Sequence, residues 1–384
     1  MENYFDTMNK ELCNGCGTCA LICPVNAITM IEDKEGFLYP EIDKNKCIKC
    51  NKCKLYCSNV NEKIEDNEKA YIAINKSEDE LKFSSSGGMF YILAKYTIEK
   101  RGVVCGVTYD DNLKVIHDFS DNIEECKKFC GSKYVRSDLN NSYKKVKAYL
   151  EKDLYVLFTG TACQISGLKK YLGKETKKLI TCDILCHANP SPKVFEMYIK
   201  NLQKIKNKRI KTIWFRSKET GWKNQIPVIE YEDGEKEEEN SYFYAFVSEM
   251  INRPSCYACK FATKRRISDF TIGDFWGIEK VDSNINIENG VSLLTVNSNK
   301  GMKIFKELKN SITHKEVNYD LAASFNHYQN VKVHKNRKKF FEKIVEGTIN
   351  EENIIQYLKR YTKTPIYRRV LGKTKRIIKN IINK

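Results

Sequence analysis

The chain has 384 residues, 41% hydrophobic and 30% charged, with a formal net charge of +17. That length and composition support a sizeable core and two or more domains, and exclude disorder as the main state. The charge is uneven: residues 331–384 hold 16 Lys/Arg against 4 Asp/Glu, +12 of the +17. No apolar run reaches the ~18 residues of a membrane span. The opening MENYFDTMNKEL lacks the basic and apolar regions of a signal peptide, so a cytoplasmic location is the expectation. Sixteen cysteines then read as metal ligands, because the cytoplasm keeps thiols reduced.

The first predicted unit, residues 1–58, is built on two cysteine runs. CNGCGTCALICP and CIKCNKCKLYCS both read C-x2-C-x2-C-x3-C, through Cys13, Cys16, Cys19, Cys23 and through Cys47, Cys50, Cys53, Cys57. A cubane [4Fe-4S] cluster needs four thiolates at tetrahedral corners. A C-x2-C-x2-C loop wraps three of them round one face, and the fourth arrives from elsewhere. The spacing resembles that of two-cluster bacterial ferredoxins, in which the fourth cysteine of each run ligates the other cluster. The resemblance implies one cluster on Cys13, Cys16, Cys19 and Cys57, and another on Cys47, Cys50, Cys53 and Cys23. Gly15 and Gly17 let backbone amides approach a cluster closely. Pro24 matches the end of the ferredoxin pattern, whereas Ser58 replaces the second proline. Between the runs, AITMIEDKEGFLYPEID predicts two short strands about a Lys34-Glu35-Gly36 turn. A pair of zinc sites is the competing reading of C-x2-C spacing, and two matched triplet-plus-one runs weigh against it.

Residues 59–70 are polar and aperiodic and read as a linker. A second unit, residues 71–330, alternates strand and helix patterns. YIAIN reads as a strand, SSSGGMFYILAKYTIEKRG as a turn and a helix ending at Gly102, and VVCGVTYD as a strand. The order repeats through LYVLFTG, a helix from about Cys163 to Leu172, LITCDILC, and a helix capped by Ser191 with Pro192 in its first turn. This alternation predicts an α/β core with a largely parallel sheet. Residues 211–242 change to hairpin-like strands about the acidic turn EDGEKEEEN, read as a solvated tip; VSLLTVNSNKG and MKIFKELKN add a strand and a helix. SSSGGMF and TGTACQ each lead into a helix with small residues, where unpaired amides attract phosphate. Neither turn is a dinucleotide fingerprint or a Walker loop, and an unliganded helix cap is the plain alternative. Two such turns beside iron-sulfur runs suggest a nucleotide-bearing redox cofactor.

SSSGGMF, GVVCGVTYD, CGSKYV, LFTGTACQISGLKKYL, DILCHANPSPKVF, FRSKETGW, RPSCYACKFA and SDFTIGDFWGI occur in order between Tyr71 and Ile278. Together they resemble the beta-subunit family of coenzyme F420-reducing hydrogenases and dehydrogenases. The resemblance implies an α+β ferredoxin-like N-terminal module followed by an α/β flavin-binding domain with a partly antiparallel C-terminal portion. It implies a third [4Fe-4S] cluster on Cys163, Cys186, Cys256 and Cys259; a zinc clip on Cys256 and Cys259 completed by His187 is the alternative. It implies FAD against Ser85, Ser86, Gly87, Gly88, Thr159, Gly160 and Thr161, with Lys133 and Tyr134 nearby. Lys133 would place an ammonium near the flavin ring, and a surface lysine is its alternative. Cys105 and Cys182 read as buried strand residues, and Cys126 and Cys130 as neighbours on a helix. His187, Asp183, Asp269 and Asp274 are the acid-base candidates, none of them assigned as a catalytic base.

Residues 331–384 read as a basic, partly amphipathic helical tail, with Val370, Leu371, Ile377, Ile378, Ile381 and Ile382 on one face. Such a helix suits a peripheral membrane surface, a partner protein or plain solvent. No nucleic-acid-binding module accompanies it, so nucleic acid is not an expected partner. The expected function is an iron-sulfur flavoprotein oxidoreductase linking a ferredoxin or other redox protein to a small two-electron acceptor, F420 or another. The alternative is an electron-transfer subunit that wires a partner enzyme and has no substrate site of its own.

Overall fold

The computed structural model describes residues 8–59, 69–219 and 221–362. The expected hairpin forms between the cysteine runs: β1 (Ile28–Glu32) pairs antiparallel with β2 (Leu38–Ile42), and Gly36 takes the left-handed turn. Each run curls into a short helix, Thr18–Leu21 or Lys52–Leu55. The hairpin tip is fastened to the larger unit at two points. Ser191 Oγ donates to Glu35 O (2.5 Å), and the Arg337 guanidinium grips the Glu35 carboxylate.

The core is an eight-stranded sheet built from β3 (Lys69–Asn75), β4 (Val103–Tyr109), β5 (Val115–Ser120), β6 (Val156–Thr161) and β7 (Leu179–Ile184), with three later strands. A separate antiparallel sheet holds β8 (Ile210–Trp214), β9 (Val228–Tyr231) and β10 (Lys236–Glu238). Then β11 (Phe270–Asp274), β12 (Ser292–Val296) and β13 (Ile312–Val317) complete the large sheet, in the order β13-β3-β12-β11-β7-β6-β4-β5. The sheet is mixed. Strands β11, β7, β6 and β4 are mutually parallel, while β5 returns along β4, and β12 and β13 flank β3 on both sides. Strand-helix alternation correctly gives β3 the direction of β4. It carries no information about position, and β3 is paired only with antiparallel neighbours. Antiparallel pairing is therefore not confined to the C-terminal portion.

The helices Met89–Glu99 and Asn299–Leu308 cover one face through Ile92, Leu93 and Phe305; Ser142–Glu151 and Ala162–Leu172 cover the other through Tyr143, Ile165 and Leu168. Helix Pro192–Lys206 starts as its sequence dictates: Ser191 Oγ accepts from Val194 N and Pro192 takes the first turn. The acidic turn is more than a solvated tip, because Glu239 is buried and accepts from Tyr198 Oη and from Ser241. The basic segment opening at Val331 does not stand apart over its described part. Helices Arg337–Val345 and Ile354–Thr362 bury Phe340, Ile354 and Leu358 in the same hydrophobic cluster as Phe37, Tyr198 and Tyr242. The amphipathic face from Val370 to Ile382 lies outside the described residues. Among the described residues no helix is long and apolar enough to cross a membrane.

Candidate redox centres and the adjoining cavity

Cysteine sulfurs gather in three places. In the first, burial raises the Cys19 thiol well above its usual value, and the neighbouring Cys16, Cys13 and Cys57 raise it further. The structure thus places Cys57, from the second run, beside the three leading cysteines of the first. In the second, Cys23, Cys47, Cys50 and Cys53 line one small gap. In the third, Cys163, Cys186, Cys256 and Cys259 line a cavity of about 190 Å³, with Leu12, Asn14 and Asn59 of the N-terminal unit in its wall.

The third group is assembled from separate pieces. Cys163 is in the first turn of helix Ala162–Leu172, Cys186 follows β7, and Cys256 and Cys259 belong to the turn that opens at Pro254. Burial pushes the Cys186 thiol far up, with Cys256, Cys163 and Cys259 contributing, and takes Cys256 to about 12. Buried thiols so crowded keep their protons until a cation replaces them, so metal loading and proton release are coupled. Backbone amides are aimed at the sulfurs: Gly15 N to Cys13 Sγ (3.4 Å), Ala27 N to Cys23 Sγ (3.2 Å), Lys49 N to Cys47 Sγ (3.4 Å) and Asn189 N to Cys256 Sγ (3.3 Å). Such donors stabilise thiolate once it forms. Among the described residues no three or more His, Cys, Asp or Glu groups converge on a single-ion site. The sulfurs border gaps instead, as the outer ligands of a cluster do.

Buried arginines tie the groups together, and sequence reasoning missed all of them. Arg136 reaches Gly15 O (3.1 Å) in the first cysteine loop and Cys163 Sγ (3.5 Å) in the third group. Arg253, 1% exposed, donates to Cys13 O (2.8 Å) and Leu38 O (2.9 Å) and lies 4.2 Å over the Tyr39 ring. Arg266 borders the third group and pairs with buried Asp183 (2.8 Å). The available signal was adjacency to the cysteine motifs: Arg136 follows CGSKYV and Arg253 opens RPSCYAC.

A cavity of about 250 Å³ lies beside the third group, at the carboxyl ends of the parallel strands, the usual ligand crevice of an open α/β sheet. Its lining includes Ser85, Ser86, Gly88, Lys133, Tyr134, Thr159, Gly160 and Thr161, three sequence motifs brought to one place. Gly87 is turned away: its amide donates to Ser292 Oγ (3.0 Å), its carbonyl accepts from Asn75 N (2.8 Å), and an added Cβ would meet Ala73 O. The two turns differ. Helix Met89–Glu99 starts from left-handed Gly88 without a side-chain cap, leaving first-turn amides open. At the other turn Gln164 reaches back, its Oε1 accepting from Thr161 N (2.9 Å). The Lys133 amine donates to Lys128 O and Cys130 O, and burial lowers its pKa to about 8. Lys218 pins the serine turn through Leu81 O and Ser86 O.

A second cavity of about 440 Å³ shares Lys133, Tyr134 and Thr161 with the first and Cys186 and His187 with the third cysteine group. Phe243, Phe246 and Trp276 form part of its wall. The acid-base candidates are engaged. His187 Nε2 lies 2.5 Å from Glu249 Oε1, and its Nδ1 is 3.3 Å from His327 Nδ1. Asp274 pairs with Arg216 and accepts from Trp222 Nε1 (2.8 Å). Asp269 accepts from Thr181 N and Oγ1 (2.9 Å each) in the core. Cys105 and Cys182 are buried in β4 and β7, Cys182 also lining the first cavity; Cys126 and Cys130 bracket a 3-10 turn rather than an α-helix.

Comparison with known proteins agrees with this division. Residues 154–320 match the C terminus of the beta chain of coenzyme F420 hydrogenase/dehydrogenase, and residues 7–29 match a 4Fe-4S binding domain. A coenzyme F420-dependent sulfite reductase of Methanocaldococcus jannaschii is 28% identical over 167 residues, 43% of this chain and 26% of that protein. The gamma subunit of a coenzyme F420 hydrogenase of Methanococcus voltae is 62% identical over 29 residues, 8% of this chain and 12% of that one. The chain therefore spans about a quarter or less of the length of these relatives. A chain of the F420-reducing [NiFe] hydrogenase complex from Methanosarcina barkeri superposes with a TM-score of 0.46 at 15% identity, over 75% of this chain and 90% of that one. The chain is a member of the coenzyme F420 hydrogenase/dehydrogenase beta-subunit family through its C-terminal domain, with a 4Fe-4S binding domain ahead of it.

Proposed function

We propose that this chain is an iron-sulfur flavoprotein oxidoreductase. It passes electrons between a ferredoxin-like or other redox protein and a small two-electron acceptor, coenzyme F420 or another. The observation that carries the reading is Arg136, one side chain joining the first cysteine loop to the third cysteine group, which itself adjoins the double cavity. Cysteine groups in series with a cavity make a path from the protein's edge to a substrate-sized space. The proposed cluster ligands are those the ferredoxin and beta-subunit resemblances imply, Cys57 and Cys23 exchanged between the runs.

FAD fits the first cavity. The uncapped amides at Met89 suit its pyrophosphate, and Met89, Phe90, Val107 and Ile272 supply apolar wall for its ring. When bound, FAD supplies the exchange between one-electron clusters and two-electron hydride chemistry. Lys133 contributes an amine poised close to neutrality beside that space. The aromatic wall of the second cavity orients a planar acceptor and keeps water from it. The relatives named for F420 favour a deazaflavin as that acceptor.

The test is anaerobic purification followed by iron, sulfide and flavin analysis. Three cubanes predict about twelve iron per chain with one FAD. Reoxidation of the reduced protein by F420, without a partner, would exclude a purely electron-wiring role. Colourless protein carrying stoichiometric zinc would end the redox reading.

A further inference from the structure

We infer that the lysine-ringed surface from Lys44 to Leu55, around the second cysteine group, is the dock for an acidic one-electron carrier protein. The inference rests on the iron-sulfur reading above and adds the place and chemistry of the partner's contact.

The cysteine groups differ in what they show to solvent. The third is buried, and Arg136 covers its approach to the first. The first is pressed onto the core: Thr18 Oγ1 donates to Gly167 O (2.9 Å), and a Cβ on Gly167 would stand 2.8 Å from the Cys16 Cβ. The second faces outward, with Cys50 exposed. Residues 44–55 carry five lysines and no acidic residue. All five are exposed, and only Lys46 has an acidic partner assigned to it, Asp43 at 3.4 Å. Within this ring Ile48 is 61% and Leu55 66% exposed, among the most exposed large apolar side chains of the described residues.

Two bare apolar side chains inside a cationic rim, beside a cysteine group at the surface, match a short-lived contact with an anionic redox protein. The rim supplies steering and the apolar pair supplies a brief hold. The step itself moves one electron and no atoms: the carrier is oxidised as the chain is reduced, or the reverse.

The test follows association of the iron-loaded chain with a purified acidic [2Fe-2S] ferredoxin by stopped-flow and surface plasmon resonance, at low and high salt. The association rate is expected to fall about tenfold or more as salt rises. A Lys49→Glu/Lys52→Glu/Lys54→Glu variant is expected to lose a similar factor at low salt. Lys303→Glu/Lys306→Glu, the same charge change on helix Asn299–Leu308, should leave the rate as it was. Ile48→Ser/Leu55→Ser should quicken dissociation, and it serves as the second probe if the charge variant loads poorly. Iron is measured on every sample. Full iron with charge-reversed protein associating like the wild type, or with wild type that does not associate, overturns the dock. A wild-type chain that takes up no iron overturns the parent reading, and the dock with it.

Discussion

The two cysteine runs share one spacing and live in opposite surroundings. At the third and fifth positions of each, the backbone turns left-handed: Gly15 and Gly17 in the first run, Lys49 and Asn51 in the second. The ligand loop therefore imposes the same backbone on both, and the side chains report what stands outside it. A Cβ on Gly15 would meet Leu38 O at 2.9 Å and the Arg253 guanidinium at 3.0 Å. Lys49 points into water, so it carries only the strain of a left-handed residue, about 1–2 kcal/mol. The spacing of cysteines encodes a cluster; the residues between them encode which side of the cluster is protein.

The largest effect should come from the buried side. Arg253→Ala strips hydrogen bonds from Cys13 O and Leu38 O and empties a fully buried volume. Each orphaned carbonyl costs about 1–3 kcal/mol, so a loss of about 3–5 kcal/mol is expected in thermal or denaturant unfolding of the loaded protein. Lys52→Ala, on the outward run, should stay within about 0.5 kcal/mol of wild type. Equal losses would break the comparison. Gly15→Ala comes next: left-handed strain plus the contact with Leu38 O predicts a loss of about 2–4 kcal/mol. Lys49→Gly should change stability by about 1 kcal/mol or less, and in the stabilising direction if strain outweighs the added chain entropy.

The buried side also answers to pH. His117 stacks on Phe158, its Nε2 lies 3.0 Å from Thr159 O, and burial lowers its pKa to about 4. An unfolded histidine takes up its proton near pH 6.5, well above that value. The unfolded state therefore binds more protons as pH falls from 6.5 to 4, and stability is lost across that window. At pH 5 the loss from this one group is about 2 kcal/mol. Unfolding measured at about pH 7 and pH 5 should show it, and His117→Gln should remove that part of the acid dependence. An unchanged pH slope in the variant would place the acid sensitivity elsewhere, in the cysteine-bearing surface among other places.

What was legible in the sequence follows the range of the interaction. Cysteine spacing, the Gly36 turn and the Ser191-Pro192 helix start are set by neighbours along the chain, so short motifs carried them. The third cysteine group is non-local: only Cys256 and Cys259 share a chelating spacing, and Cys163 and Cys186 reach them through strand order. Family likeness, not spacing, pointed to that set. The place of β3 between β12 and β13 depends on pairings made long after β3 is read. The arginines were hardest, since Arg136, Arg216 and Arg253 look like surface residues in text and are buried in the fold. Their partners are carbonyls, a sulfur and Asp274, most of which no side-chain pattern announces.

Ser58 is the smallest and most local test of the difference between the runs. It stands where the ferredoxin pattern has a proline, and by sequence it is only a departure. In the structure it is 1% exposed, accepts from Asn14 Nδ2 (2.8 Å) and places its hydroxyl 3.4 Å from Cys16 Sγ. Asn14 Oδ1 in turn accepts from Cys16 N (3.2 Å), so Ser58 and Asn14 brace the buried cysteine from both sides. A proline could supply neither the hydroxyl nor the contact to Asn14. Ser58→Ala should therefore cost about 1 kcal/mol, with iron content unchanged and the low-temperature EPR signal of the reduced protein altered. The matching position of the first run is Pro24, exposed and bordering the outward group. Pro24→Ala should leave that signal alone. If both substitutions shifted it equally, the inward and outward groups would be held alike, and the asymmetry between the two runs would be one of burial only.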